Sequence, residues 1–237
     1  MLQIKNLSVK VGEKQILNQI SFDFETGKNY CILGKNGSGK SSLAMTLAGN
    51  PKYEISEGEL LLDGQNLTEM SPDERNKAGV FLTFQNIPEI PGVKLFEFLK
   101  TIYDARAEKL STFLEFKKII EPLMAELEIE KAFLWRDLNV GFSGGEKRKI
   151  EVLQIKLLKP KVIILDEIDS GLDVNAVRQV AELLKAVNTE ENSFIVITHL
   201  FEMLQELPLE KILILEQGQI KAVGGRELME QVRKEGF

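Results

Sequence analysis

The sequence predicts an α/β fold in which a mostly parallel sheet carries an inserted helical lobe. Short apolar runs of strand length, such as Val162–Leu165, alternate with helical patterns toward the end of the chain. This alternation favours parallel strands joined by crossover helices. The stretch before them is helical in pattern and has few β-branched runs. We therefore expect one domain, with a core formed by 1–87 and 158–237 and a helical subdomain inserted at 88–157.

The first third of the chain predicts strands of the core and of an antiparallel β subdomain. Alternating apolar and polar residues indicate half-buried strands, and wholly apolar runs indicate buried ones. In chain order, the predicted strands are Leu2–Val9, Ile16–Phe24, Tyr30–Leu33, Gly58–Asp63 and Gly79–Phe84. A helix is expected to begin near Lys40. Another is expected after Ser71, where Pro72 and Glu74 complete a capping-box pattern with proline at the first helical position.

The last third predicts the alternating units of the parallel sheet. Strands are expected at Val162–Leu165, Phe194–Thr198 and Lys211–Leu215. Apolar residues recur at helical spacing between the first two of these strands. They are Ala176, Val177, Val180, Leu183, Leu184 and Val187. The pattern predicts an amphipathic crossover helix.

Composition limits the classes of function that the chain can serve. The 237 residues are 43% hydrophobic and include 30 Lys and Arg against 36 Asp and Glu, which gives a net charge of −6. This acidic balance disfavours a surface that neutralises nucleic-acid phosphates. Cys31 is the single cysteine, so it forms no internal disulfide and cannot supply the four thiolates that usually hold an iron–sulfur cluster. We expect a cytoplasmic protein. The longest apolar runs are far below the roughly 20 residues that span a bilayer, so no direct membrane insertion is expected.

A glycine-rich loop, Gly34–Ser41, follows a predicted buried strand and opens a predicted helix. It fits the phosphate-loop pattern, in which glycines let successive N–H groups point at phosphate oxygens and the helix N-terminus adds positive charge. In that pattern Lys40 meets the β- and γ-phosphates of ATP, and the Ser41 hydroxyl ligates Mg²⁺. The alternative, a flexible glycine turn, is disfavoured by the strand before it and the helix after it. The residues expected to bind the nucleotide here are Gly34, Lys35, Asn36, Gly37, Ser38, Gly39, Lys40, Ser41 and Ser42.

Two carboxylates, Asp166 and Glu167, end the apolar strand Val162–Leu165. They are expected at the edge of the sheet where open α/β folds bind ligands. Asp166 can hold magnesium, mostly through water, and Glu167 can orient and polarise the attacking water. Two acids after a strand can also cap the next helix, but the phosphate loop upstream favours the catalytic interpretation.

A second anion site is predicted at Ser143-Gly144-Gly145-Glu146. Ser143 and Glu146 have capping-box spacing before a helix that runs to about Lys159. The exposed amides of that helix start, beside two glycines, can bind a γ-phosphate. A well-made helix start and a phosphate site are compatible interpretations. The charged run Glu146–Lys149 is expected to be mainly the solvated face of this helix.

The order of these motifs resembles that of ATP-binding cassette (ABC) ATPases over nearly the whole chain. The phosphate loop is followed by Gln85 after a strand, by Phe142–Glu146, by Leu165–Glu167, by Ser170–Asp173 and by His199, the single histidine. The resemblance implies a phosphate-loop NTPase fold in which Gln85 reaches the metal and the water and His199 contacts the γ-phosphate. It also implies that Ser143–Glu146 is the signature motif and that Ser170–Asp173 is the D-loop, with Asp173 at the nucleotide. Two chains are then expected to complete each site in a head-to-tail dimer.

Within that family, three stretches resemble SufC-like ATPases of the Suf iron–sulfur assembly system. They are Phe84–Val93, Asn139–Lys147 and Leu165–Asp173. The resemblance implies that SufB/SufD-type scaffold proteins are the partners. A nucleotide-binding subunit of a membrane transporter is the main alternative. A cassette that binds ATP as a non-hydrolysing switch is disfavoured by Glu167 and His199, and a DNA-repair ATPase is disfavoured by the lack of a long coiled coil and of zinc-type cysteine spacing.

Several apolar residues carry expectations of their own. Ile87 and Ile90, beside two prolines, predict a stiff apolar lip for docking, unless they fold back into the core. Trp135 is expected to pack in the helical lobe and Cys31 in the core. Many cassette proteins place an aromatic residue near the first turn to stack on adenine. Val9–Val11 offers none, so recognition of the base is expected to be loose.

Overall fold

The computed structural model describes residues 1–107, 109–168, 174–198, 204 and 207–235. The chain divides into two compact units. The first is made of Met1–Thr83, Pro160–Ile168 and Asn188–Phe237, and the second of Phe84–Lys159 and Asp169–Val187.

Strands and helices alternate along the chain. The strands are β1 Leu2–Val11, β2 Lys14–Phe24, β3 Asn29–Leu33, β4 Glu54–Leu62, β5 Gln65–Asn66, β6 Val80–Thr83, β7 Ile90–Lys94, β8 Asp137–Leu138, β9 Val162–Asp166, β10 Ser193–Ile197, β11 Leu209–Glu216 and β12 Gln219–Gly224. The helices are α1 Lys40–Leu47, α2 Pro72–Ala78, α3 Leu95–Asp104, α4 Phe113–Glu126, α5 Gly144–Leu158, α6 Val174–Val187 and α7 Arg226–Glu235, with a 3₁₀ helix over Lys131–Trp135. Within the described ranges, no helix has both the length and the apolar character needed to cross a bilayer.

The first unit is built around a six-stranded sheet with the strand order β12-β11-β3-β10-β9-β6. Neighbouring strands from β11 to β6 are parallel, and the edge strand β12 is antiparallel to β11. The strands β3, β9 and β10 are buried along their whole length, because uninterrupted apolar runs suit strands that are covered on both faces. The predicted, mostly parallel sheet is confirmed, and it brings the carboxyl ends of β3, β9 and β10 to one edge.

A four-stranded antiparallel sheet in the same unit has the order β2-β1-β4-β5. Its buried face includes Leu2, Ile4, Leu7 and Val9, which belong to the core of the unit. The polar residues along β1 are exposed or half-buried, except for the buried Ser8, as expected for a sheet with one solvated face. This sheet is the predicted antiparallel β subdomain.

The second unit is mainly helical, as expected, and it also contains a two-stranded ribbon of β7 with β8. The ribbon was not predicted, because Pro91 and Gly92 lie inside β7 and both residue types are poor strand formers. Trp135 packs in this unit. Its ring centroid lies 5.3 Å from that of Phe96 and 6.0 Å from that of Phe113, although half of its surface is exposed.

The helix α6 groups with the second unit, although the expected core included 158–237. Of the predicted apolar face, Val177, Val180, Leu184 and Val187 are buried and Leu183 is half-buried. Ala181 is buried as well, although it was not predicted. The helix packs against α5, which belongs to the same unit. Burial of the apolar face against a helix therefore explains why α6 does not group with the strands that flank it in sequence.

Candidate active site

The phosphate loop lies between the buried strand β3 and the helix α1, as predicted. A Cβ atom at Gly34 would lie 2.2 Å from the carbonyl oxygen of Leu215, and one at Gly39 would lie 2.8 Å from Cδ2 of Leu17. Gly39 also has a φ of 109°, which other residues rarely adopt. These two positions therefore need glycine for space as well as for conformation, and they keep the loop close to β2 and β11.

The turn between β11 and β12 supports the loop. Gly218 donates its N–H to the carbonyl oxygen of Ser38 at 2.9 Å, and its own carbonyl accepts from the Asn18 N–H at 2.9 Å. A Cβ atom at Gly218 would lie 2.2 Å from the Ile16 carbonyl oxygen. The sequence analysis missed this supporting residue. Its signal was the pair Gln217-Gly218, which adopts positive φ at both residues, as a tight hairpin turn requires.

The start of α1 is left without a side-chain cap. Gly39 is the N-cap residue, and within the described chain no side chain caps this helix and no acidic residue lies in its first turn. The amides of such a start and the helix dipole favour an anion. Ser38 Oγ is buried and makes no hydrogen bond within the described chain. A phosphate group would supply partners for the amides and for this hydroxyl.

Lys40, the first residue of α1, is buried and folds back over the loop. Its Nζ donates to the carbonyl oxygens of Gly34 at 2.7 Å and of Lys35 at 3.1 Å. Burial lowers the pKa of Lys40, and the negative charges of Glu167 and Asp166 oppose that shift. The ammonium group is therefore held at the loop, where phosphate oxygens would accept stronger, charge-assisted hydrogen bonds than the carbonyl groups do.

Asp166, the last residue of β9, contacts α1 through Ser41. Ser41 Oγ donates to Asp166 Oδ1 at 3.2 Å, and the Asp166 N–H donates to Thr83 Oγ1 at 3.3 Å. Burial raises the pKa of Asp166, and the hydrogen bond from Ser41 opposes that shift. Hydroxyl and carboxylate oxygens are ligands that Mg²⁺ prefers, and a bound cation favours the ionised carboxylate. The two residues therefore fit a magnesium site.

Glu167 follows β9 in a left-handed conformation with a φ of 47°. Such a φ is uncommon for a residue other than glycine, and strained residues cluster at functional sites. The Glu167 N–H donates to the Ile197 carbonyl oxygen at 2.8 Å, so the neighbouring strand β10 holds its backbone. The residues between Ile168 and Val174 lie outside the described chain, so the alternative in which the two acids cap the next helix stays a prediction.

The helix α5 begins with Ser143 as its N-cap residue. The Ser143 N–H donates to Glu146 Oε2 at 2.7 Å, and the Glu146 N–H donates to Ser143 Oγ at 3.3 Å, so the predicted capping box is present. The hydrogen bonds from Ser143 lower the pKa of Glu146. The box does not involve the amides of the two glycines, and a Cβ atom at Gly145 would meet no described atom within 4 Å. This helix start is therefore open to an approaching anion.

Comparison with known proteins agrees with this geometry. A family model described as ABC transporter matches residues 17–170. The chain belongs to the ABC transporter family of ATP-binding cassette ATPases. Over its full length it is 42% identical to a probable ATP-dependent transporter ycf16 of Antithamnion sp., of which it covers 96%. It is also 39% identical over its full length to the probable ATP-dependent transporter SufC of Escherichia coli (strain K12), of which it covers 97%.

A solved structure supports the cassette fold. The ATP-binding cassette MJ0796, a dimer in a post-hydrolysis state bound to ADP and Pi, matches with a TM-score of 0.80 at 22% identity. The match covers 95% of this chain and 98% of that one. The cassette fold and the resemblance to SufC-like ATPases that the sequence predicted are thus both confirmed.

The remaining cassette motifs are those of Gln85, Ser170–Asp173 and His199. Gln85 lies after β6 and is exposed, and its carbonyl oxygen accepts from Arg148 Nη2 at 3.3 Å. Its expected role at the metal and the water stays a prediction. His199 and Ser170–Asp173, including Asp173, lie outside the described residues, so their roles also stay predictions.

Two apolar residues near the loop carry expectations from the sequence. Cys31 is buried in β3, and burial raises the pKa of its thiol, which keeps it protonated and unreactive. Val9 is fully buried in β1 and offers adenine no surface. The expectation that the base is recognised loosely stays a prediction.

Proposed function

We propose that this cassette ATPase binds Mg-ATP as a head-to-tail dimer and hydrolyses it to drive iron–sulfur cluster assembly on SufB/SufD-type scaffold proteins. The observation that carries the nucleotide chemistry is the contact of Ser41 with Asp166 at the end of β9, beside the buried Lys40. The proposal for the scaffold is supported by the 39% identity to SufC and by the three stretches of SufC-like sequence. The single cysteine supports a cytoplasmic location, and the net charge of −6 disfavours nucleic acid as a partner.

In the proposed mechanism, the loop amides and Lys40 bind the β- and γ-phosphates and neutralise charge where it develops. Ser41 and Asp166 would hold Mg²⁺, which would supply further positive charge to the phosphate oxygens. Glu167 accepts a hydrogen bond from the attacking water and polarises it. Gln85 and His199 are proposed to contact the water and the γ-phosphate, respectively, with Gln85 also reaching the metal.

We infer that Ser143–Glu146 acts on the nucleotide of a second copy. The Ser143 hydroxyl accepts from the Glu146 N–H, so its own proton remains available for a phosphate oxygen. The open side of Gly145 gives an anion access to the amides of the helix start. The dimer formed by the MJ0796 cassette supports this arrangement through the shared fold.

The segment Gln85–Val93 is the surface proposed for the partner. Ile90 and Val93 are 39% and 36% exposed, whereas Ile87 is half-buried and thus follows the alternative expectation in part. An ion pair of 2.8 Å between Glu89 and Lys147 fastens the segment to α5. An exposed apolar segment that is held in place suits docking of another protein.

The variant Glu167→Gln tests the hydrolytic mechanism. The amide cannot polarise water as a carboxylate does, so turnover is expected to fall by about 10²- to 10⁴-fold, while ATP binding is retained. Gel filtration with Mg-ATP is expected to show a trapped dimer. Monomer alone, together with wild-type turnover, refutes the role of Glu167.

Co-purification tests the partner. The tagged chain, expressed in its native host, is expected to bring down a scaffold protein from the soluble fraction. Recovery of an integral permease from the membrane fraction, with no scaffold in the soluble fraction, replaces the proposal with the transporter subunit.

A further inference from the structure

A buried ion pair on α5 lies outside the residues assigned to the nucleotide. Arg148 Nη1 and Glu151 Oε2 are 2.6 Å apart, and each side chain is 4% exposed. The expectation that this charged run is a solvated helix face is wrong for Arg148. On the same helix, Lys156 pairs with the exposed Glu126, as helical charges at a surface usually do.

The buried pair is bonded to the backbone where the second unit begins. Glu151 Oε1 accepts from the Phe84 N–H at 3.0 Å. Arg148 donates from Nη1 to the Phe84 carbonyl oxygen at 2.8 Å and from Nη2 to the Gln85 carbonyl oxygen at 3.3 Å. Side chains of one helix thus hold both main-chain groups of Phe84 and the carbonyl of Gln85. These four residues, Phe84, Gln85, Arg148 and Glu151, are called the clamp below.

Packing of the Phe84 ring does not account for the clamp. The Phe84 side chain is 49% exposed, so its ring does not anchor the segment in a core. Burial raises the pKa of Glu151, against the charge and hydrogen bond of Arg148, which reflects the cost of desolvating the pair. Apolar residues of similar volume often replace a buried ion pair without loss of stability. Apolar residues cannot, however, supply hydrogen bonds that fix the position of a backbone.

The clamp is connected by covalent chain continuity to residues that have roles in the proposed mechanism. The helix α5 begins at the signature motif and continues into the clamp. Gln85, for which a role at the metal and the water is proposed, has its backbone in the clamp. Thr83, the residue before the clamp, accepts a hydrogen bond from the Asp166 N–H at 3.3 Å. Thr83, which contacts the proposed magnesium ligand Asp166, is therefore joined to Phe84 of the clamp by a single peptide bond.

We propose that Arg148 and Glu151 are positioning residues that fix the backbone of Gln85 and tie it to the signature helix. A misplacement of about 1 Å near the chemistry can lower turnover on the order of 100-fold. Loss of the clamp therefore lowers kcat more than ATP affinity, which depends on the phosphate loop of the first unit. This inference rests on the role proposed for Gln85.

The double variant Arg148→Met/Glu151→Leu tests the inference, because it removes both charges and leaves no unpaired buried ion. Hydrogen exchange at the Phe84 amide is expected to quicken by about tenfold or more, since its acceptor is lost. We expect kcat to fall by about tenfold or more. The Kd for ATP is expected to change by less than about threefold, because the phosphate loop keeps its own contacts to the phosphates.

Two further variants serve as a conservative substitution and as a control. Arg148→Lys retains the charge but lacks the planar fork that reaches Glu151 and two carbonyl groups together, so smaller losses in the same direction are expected. Lys156→Met is the matched control, because it removes a surface charge from the same helix. It is expected to leave kcat and the exchange of Phe84 unchanged.

Gln85→Ala separates failure of the proposed function from failure of the inference. If this variant hydrolyses ATP at the wild-type rate, the proposed role of Gln85 is wrong, and the positioning role of the clamp is wrong with it. If it is slow while the double variant keeps wild-type kcat, the clamp is structural alone and the positioning role is overturned. If the double variant does not fold, Arg148→Lys decides. Unchanged kcat in Arg148→Lys overturns the inference, and slower turnover with faster exchange at Phe84 supports it.

Discussion

The helices α1 and α5 both begin at a glycine-containing motif, but their first turns are built in opposite ways. At α1 the N-cap is Gly39 in a left-handed conformation, and within the described chain no side chain caps the helix. At α5 the N-cap is Ser143, and Glu146 in the first turn completes a capping box. The first turn of α1 therefore contains no acidic side chain, whereas the first turn of α5 contains the carboxylate of Glu146.

This difference assigns different tasks to the two helix starts. A missing N-cap side chain costs roughly 1 kcal/mol of helix stability. A phosphate bound at α1, as proposed, would offset this cost by accepting hydrogen bonds from the same amides. The capped start of α5 is stable without ligand, and its carboxylate opposes a tightly held phosphate. We therefore infer that α1 and its loop supply most of the ATP affinity, and that α5 contributes when a nucleotide already bound to another chain approaches.

Lys40→Ala is expected to have the largest effect, because it removes the ammonium group from the phosphate loop at α1. Hydrogen bonds to charged groups contribute about 1.5–3 kcal/mol, so ATP affinity is expected to fall by about tenfold to 100-fold, and productive turnover is lost. The measurements are nucleotide titration and steady-state hydrolysis. Lys52→Ala, an exposed lysine after α1, is the control and is expected to behave as wild type. Unchanged hydrolysis in Lys40→Ala contradicts the assignment of the phosphate loop.

Mixing two variants tests whether the two helix starts meet on different chains. A Lys40→Ala chain lacks a working phosphate loop, and a Ser143→Arg chain lacks a working signature. In a head-to-tail heterodimer, one composite site combines both lesions and the other combines neither, so the mixture is expected to recover up to about half of the wild-type activity per dimer. Each variant alone is expected to be inactive. Activity of the mixture equal to the simple sum of the two variants rules out shared sites.

The sequence predicts the phosphate loop and the capping box well because both are local. A buried apolar run, closely spaced glycines and a lysine define the loop, and residues three positions apart define the box at Ser143. Support from elsewhere in the chain is harder to predict. The bond from Gly218 to the Ser38 carbonyl joins residues far apart in sequence. The pair Gln217-Gly218 indicates a hairpin turn, but it does not indicate which residue that turn contacts.

The buried Arg148 shows a second limit of sequence reasoning. A run of charged residues usually marks a solvated helix face, and the pairing of Arg148 with Glu151 has the same spacing as an ordinary surface ion pair. The pair is buried because the backbone at Phe84 and Gln85 covers it and uses its hydrogen bonds. That approach is a tertiary contact, which helical periodicity does not contain.

Glu146→Gln gives the smallest expected effect and the finest test of the comparison. Hydrogen bonds from Ser143 lower the folded-state pKa of Glu146 below its unfolded value. The carboxylate therefore contributes stability above the unfolded pKa of about 4.3, and this contribution is lost as the pH falls through the folded-state pKa. Glutamine preserves the capping box with a neutral side chain, so its contribution does not titrate.

The free energy of unfolding, measured by urea denaturation at a series of pH values, should separate the two side chains. At pH 7 the wild-type chain is expected to exceed Glu146→Gln by no more than about 1 kcal/mol, and the difference is expected to shrink below about pH 4. Glu13→Gln serves as the control for the general effect of removing one negative charge, because Glu13 is exposed. A difference that stays constant from pH 7 down to pH 3 shows that the charge of Glu146 does not stabilise the α5 start. In that case the two helix starts differ in the presence of a capping side chain alone, and the assignment of an internal anion to α5 is wrong.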